Sequence, residues 1–119
     1  MSETRTAKRR ITASGKDIKR SSDKDGGLEF SYSFWFYVDD WTYKVGKWKH
    51  LFHKGGITHG PDSPENTVIK CPGAWLDRDQ NILHLYFNTF EDTNENFEIP
   101  NIPLSKWVNC ILTVQGRNV

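Results

Sequence analysis

A chain of 119 residues with 36% apolar and 26% charged residues, a formal charge of +1 and a mean hydropathy of −0.68 has room for one domain with a modest core. No apolar run approaches the ~18 residues of a membrane span, so no membrane-spanning helix is encoded. Two cysteines, Cys71 and Cys110, make no disulfide framework, and two buried free thiols fit a reducing compartment.

The near-neutral total conceals an uneven distribution. Residues 1–25 carry eight basic and four acidic side chains, whereas the remaining residues carry eight basic and eleven acidic. Met1 leads into Lys8-Arg9-Arg10 and more polar residues rather than a secretory apolar core, which points to synthesis in the cytosol. Residues 1–27 have almost no large apolar side chains and cannot bury enough surface to offset the entropy of ordering. They read as an extended basic arm held by a neighbouring chain of an assembly, with Lys8, Arg9, Arg10, Lys19 and Arg20 as its contacts. A tail for nucleic acid or anionic lipid is the competing reading. Acidic residues dilute the arm and no aromatics interleave it, so nucleic acid is disfavoured.

From Leu28 to Val38 the chain alternates. Leu28, Phe30, Tyr32, Phe34, Phe36 and Val38 fall on one side of an extended backbone, and Glu29, Ser31, Ser33, Trp35 and Tyr37 on the other. The first side is apolar throughout, and the second changes from polar to aromatic halfway, which predicts a strand with one face in a core. Asp39-Asp40-Trp41 begins a turn, and Trp48 to Lys54 is a second strand ended by Gly55-Gly56. Residues 57–70, with Gly60-Pro61 and Ser63-Pro64, read as a loop. Short strands follow at 73–76, 82–88 and 97–99, then a longer one from Trp107 to Gln115. Leu104 to Trp107 could open one helical turn at most. Six strands separated by turns predict an all-β antiparallel sandwich or jelly roll over residues 28–119.

The pieces Phe30-Ser31-Tyr32-Ser33-Phe34-Trp35-Phe36, Leu51-Phe52-His53-Lys54-Gly55, Gly73-Ala74-Trp75-Leu76-Asp77, Leu83-His84-Leu85-Tyr86-Phe87-Asn88 and Lys106-Trp107-Val108-Asn109-Cys110 follow one another in this order. That order resembles the concanavalin A-like and laminin G-like domains, and its wording is similar to versions encoded by large DNA viruses and their hosts. The resemblance implies a β-sandwich acting in recognition or structure, and a virion as one setting. It also implies further strands beyond Gly116, where this sequence ends three residues later. A sandwich short of those strands would pair with another chain, so the expectation is a fold that depends on assembly.

No catalytic constellation is expected. Glucanases on the resembled fold carry carboxylates at alternate positions of one strand, whereas Glu91, Asp92, Glu95 and Glu98 are spaced to alternate between faces and read as a solvated acidic loop. Asp77, Asp79 and Asn81, or Asp92, Asn94 and Asn96, offer oxygens at every second position. Ca²⁺ is the weaker reading of these runs, and turns bonding their own backbone the stronger. His50, His53, His59 and Cys71 form the one transition-metal candidate. His50 and His53, three apart on a strand, should face opposite ways and give no metal site. Trp35, Trp75 and Trp107 read as core. Trp41, Tyr43 and Trp48 flank a turn and are the candidate contacts for a protein partner or a glycan. The expectation is a non-catalytic interaction module within a multi-protein assembly, with a glycan-binding lectin as alternative and a glycoside hydrolase as a third reading that the carboxylate spacing opposes.

Overall fold

The computed structural model describes residues 13, 14, 16–18, 22–24, 27–56, 63, 64, 69–89, 92 and 94–116. Among these the chain is all-β, with seven strands in two antiparallel sheets and no helix. Lys8, Arg9, Arg10, Lys19 and Arg20 of the expected arm lie outside the described residues. The chain divides into two units, residues 1–37 with 107–119, and residues 38–106.

The first unit contains β1 (Ser22–Lys24), β2 (Gly27–Tyr37) and β7 (Trp107–Gly116), in the order β1-β2-β7. β1 lies within the stretch whose composition predicts only an arm. It pairs Ser22 with Glu29 and Lys24 with Gly27, a hairpin made by backbone pairing that no apolar pattern announces. β2 and β7 pair without interruption from Leu28↔Gly116 to Tyr37↔Trp107. The period of two then sorts the side chains. One face carries Phe30, Tyr32, Phe34 and Phe36 opposite Val114, Leu112, Cys110 and Val108. On this face Phe36 and Leu112 are buried, and neighbouring rings pack at 5.4 Å (Phe30 to Tyr32) and 5.9 Å (Phe34 to Phe36).

The second unit is a meander of β3 (Lys49–His53), β4 (Gly73–Leu76), β5 (Ile82–Phe87) and β6 (Glu95–Pro100), hydrogen-bonded in chain order. Central β4 and β5 are buried on both faces, so they read as near-continuous apolar runs. Ala74, Leu76, Leu83, Leu85 and Phe87 form one buried layer. Trp75, His84 and Tyr86 form the other, and Trp75 has no exposed surface. β6 is an edge strand, exposed along its whole length, which is where Pro100 can end a ladder without removing a shared bond. The β4–β5 turn is built by Asp77, whose Oδ1 accepts the N–H groups of Asp79 (2.9 Å) and Gln80 (3.0 Å). No helical turn forms before β7; Ser105 instead has φ of 54° and donates its N–H to the Val38 carbonyl.

Two glycines are required by close approach. A Cβ on Gly55 would stand 1.9 Å from the Ile69 carbonyl oxygen, and one on Gly73 would stand 2.4 Å from the Trp75 ring. Both cysteines are free and half-buried. Cys110 faces the apolar side of β7, where desolvation pushes its thiol pKa up, away from nucleophile chemistry.

Candidate functional site

The outer face of the β2–β7 pair overturns one expectation. Trp35 is 65% exposed and Trp107 54%, so neither belongs to the core. Alternation defines two faces of a strand without saying which one is covered, and here the aromatic end of the second face is open. Five cross-strand pairs make up this surface: Glu29 with Gln115, Ser31 with Thr113, Ser33 with Ile111, Trp35 with Asn109, and Tyr37 with Trp107. Ile111 is 69% exposed, and the Tyr37 and Trp107 rings meet at 5.5 Å with a 60° tilt. The polar half is tied together. Ser31 and Thr113 hydroxyls are 3.1 Å apart, and Asn109 Nδ2 donates to Ser33 Oγ (3.1 Å) and to the Phe34 carbonyl (3.3 Å). Glu29, at the polar end, is the one charged side chain among these ten.

In the second unit a further expectation fails. Between His50↔Trp75 and Phe52↔Ala74 the β3 register shifts, leaving Leu51 as the extra residue of a bulge. One inserted residue reverses the alternation beyond it, so His50 and His53 share a face, with His50 Nε2 2.9 Å from His53 Nδ1. Both imidazoles pack on Trp75, at ring-centroid distances of 5.2 and 6.2 Å. Among the described residues, no group of three or more His, Cys, Asp or Glu side chains could hold a metal ion.

On the same face His84 is 5% exposed, and its Nε2 lies 3.0 Å from Asp77 Oδ2. Burial raises the Asp77 pKa, but the N–H bonds from Asp79 and Gln80 and the contact with His84 outweigh it and hold the carboxyl below the usual range. His84 Nδ1 has no hydrogen-bond partner and stands 3.6 Å from Glu98 Oε1. A carboxylate-oriented imidazole is the beginning of an acid–base relay, but this one has its free nitrogen sealed in protein. Trp48 closes over it edge-on at 5.0 Å. Glu95 and Glu98 occur on β6 opposite Phe87 and His84 respectively, so they project from opposite faces as their spacing predicts. Glu91 lies outside the described residues.

The turn aromatics have defined surroundings. Trp41 is half-buried, with the Lys49 ammonium 5.3 Å from its ring centre. That ammonium also donates to the carbonyls of Asp77 (3.1 Å) and Arg78 (3.0 Å); desolvation lowers its pKa, against the charges of Asp77 and Asp79. Trp48 is half-buried between His84 and the Arg78 guanidinium, 5.9 Å from its ring. Tyr43 is 43% exposed. Lys70, which loop composition gave no reason to single out, is 1% exposed, donates to Asn94 Oδ1 (2.6 Å) and lies 5.6 Å from the Tyr86 ring centre.

The Asp77 and Asp92 side chains each accept a backbone N–H of their own turn, from Asp79 and from Asn94. This is the turn-forming role their spacing suggests. In the first unit the exposed aromatic surface is thus the outer face of β2 and β7, and in the other unit Tyr43 and, on β6, Phe97 and Ile99 are exposed. No protein-family model, no curated protein and no solved structure matches this chain.

Proposed function

We propose that this chain is a non-catalytic interaction module, a concanavalin A-like β-sandwich that is completed by other protein chains of a larger assembly. The observation that supports this reading is the edge of β7. Among the described residues β7 is paired only with β2, and its ten residues, Trp107 to Gly116, include no charge and no proline. Isolated proteins blunt such edges with lysine, proline, a bulge or a covering loop, because an open ladder templates pairing with another strand. An edge of this length that carries neither charge nor proline suits strand addition by a partner, in which main-chain bonds supply affinity. In the setting that the sequence resemblance implies, that assembly is a virus particle. The sealed His84 nitrogen and the opposed faces of Glu95 and Glu98 weigh against hydrolysis.

The test is amide hydrogen exchange along β7, in the isolated chain and in the complex recovered from its source. Alternate amides of an edge strand face away from its partner. These should exchange freely in isolation and be protected in the complex; equal exchange in both states would remove the reading.

A further inference from the structure

We propose that the outer face of β2 and β7 rests on the interfacial layer of a zwitterionic lipid bilayer. This surface is separate from the β7 edge, so the proposal goes beyond strand addition and is compatible with it.

Composition and exposure point to this occupant. Ile111 and Trp35 are more than 60% exposed, Trp107 is 54% and Tyr37 42%, so four large side chains stand open on one pleated surface. Exposed clusters of this kind mark protein or membrane contacts. Two of the three rings are indoles, apolar bodies carrying one N–H donor, and the third ends in a hydroxyl. Such side chains are enriched where hydrocarbon meets the headgroup layer, which offers apolar contact and oxygen acceptors side by side.

Charge sets the lipid class and the depth. From Ser31 and Thr113 to Tyr37 and Trp107, the eight paired positions carry no charge. Charged residues bound this stretch at both ends. Glu29 lies at the polar end, where the register also sets Ser22 opposite Glu29 and Lys24 opposite Gly27. Exposed Asp39 and Asp40 follow the aromatic end of β2 in the chain, and exposed Lys106 precedes that of β7. Eight positions without a cation give no hold on anionic lipid, and flanking charges of both signs oppose sinking into hydrocarbon. The contact is therefore shallow, about 5–10 Å deep, where the open edge groups of β7 still reach water. Polar side chains within the stretch already bond one another, Ser31 with Thr113 and Asn109 with Ser33, so covering them strips fewer groups of water.

Area separates a bilayer from a second copy of the chain. Four same-face positions on each of two strands span about 20 Å by about 10 Å, at ~3.4 Å per residue and ~4.8 Å per strand. That footprint, roughly 200 Å², falls well short of the ~800 Å² per partner of a stable protein complex. A bilayer requires no complementary shape, and its hold scales with the apolar area buried. Several copies within one assembly would add their contacts on a single membrane.

The test is flotation of the whole chain with phosphatidylcholine vesicles, with and without about 20 mol% phosphatidylserine, in low and high salt. The expected result is binding to pure phosphatidylcholine that persists in high salt. Trp35→Ala and Trp107→Ala should each weaken it about fivefold or more, and Ile111→Ser by less. Val45→Ala, at an exposed apolar position of the other unit, should leave it unchanged. Far-UV circular dichroism and melting temperature, unchanged from the parent, would show that the variants fold. Lipids brominated near the headgroup should quench tryptophan emission of the parent, and a chain carrying both Trp35→Phe and Trp107→Phe should escape most of that quenching. No binding to phosphatidylcholine, or binding indifferent to both tryptophans, would overturn the proposal. Binding only to phosphatidylserine vesicles and abolished by salt would overturn it too, since the basic residues before β2 would then be the contact. So would light scattering that shows a lipid-free dimer dissociated by Trp35→Ala, because the face would be a protein contact. Failure here leaves the β7 exchange result untouched, since that experiment reads the backbone edge and not this face.

Discussion

His50 Nε2 and His53 Nδ1 lie 2.9 Å apart because Leu51 bulges between them. A strand of strict alternation would have put them on opposite faces. The bulge makes them a pair seated on Trp75, where one ring nitrogen donates and the other accepts. His53→Ala removes that bond and a ring stacked on Trp75. The expected cost is about 1–2 kcal/mol, read as a lower denaturant midpoint with an unchanged slope. An unaltered midpoint would show that the pair contributes nothing to stability.

Trp75 and Trp35 should respond oppositely to truncation. Trp75 is fully buried against His50, His53 and Tyr86, so Trp75→Ala should cost about 3–5 kcal/mol or prevent folding. Trp35 is 65% exposed, and Trp35→Ala should stay within about 0.5 kcal/mol of the parent. Thermal unfolding of the two variants side by side checks both.

Glycine substitutions separate crowding from backbone strain. Gly55→Ala sets a methyl against the Ile69 carbonyl, backbone that cannot swing away, and should cost several kcal/mol, above the ~1–3 typical of overpacking. Gly46→Ala meets nothing within 4 Å, but Gly46 has φ of 82°, so its cost should be only about 1 kcal/mol. Chemical denaturation of both variants distinguishes the two mechanisms. Equal losses would contradict it.

Acid should weaken the fold through Asp77. Its folded pKa is depressed below the ordinary 3.8, so its carboxylate contributes stability that is complete above that value and is lost as pH falls through the folded pKa. Asp77→Asn should therefore lose stability at neutral pH and show a smaller further loss on acidification below about pH 4. Urea midpoints across that range test it. A variant as acid-sensitive as the parent would assign the effect to other carboxylates.

Much of the fold was legible in the sequence. Gly73 to Leu76 was bounded residue for residue, and the alternations of Leu28 to Val38, Ile82 to Asn88 and Trp107 to Gln115 identified their strands within a residue or two. Leu28 to Val38 and Trp107 to Gln115 carry apolar residues at a period of two, the signal of a half-buried strand, whereas β4 and β5, buried on both faces, stand out as short apolar runs between turns. β1 escaped because Ser22-Asp23-Lys24 pairs through its backbone, which has no compositional signature. The Leu51 bulge escaped because one inserted residue leaves the local composition unchanged while reversing every later side chain. Trp35 and Trp107 were misplaced because an aromatic on either face of a strand looks apolar in the sequence. Which face is covered depends on the rest of the chain. The surface most suited to recognition was thus hidden among residues that hydrophobicity alone assigns to a core.

The unequal shielding of the indoles gives the molecule a built-in optical reporter. Trp35 and Trp107, open to solvent, should emit towards the red and be quenched by acrylamide, whereas Trp75, wholly enclosed, should emit towards the blue and resist it. Whatever settles on the outer strands should dim or shift only the first population, so occupancy could be followed in unlabelled material.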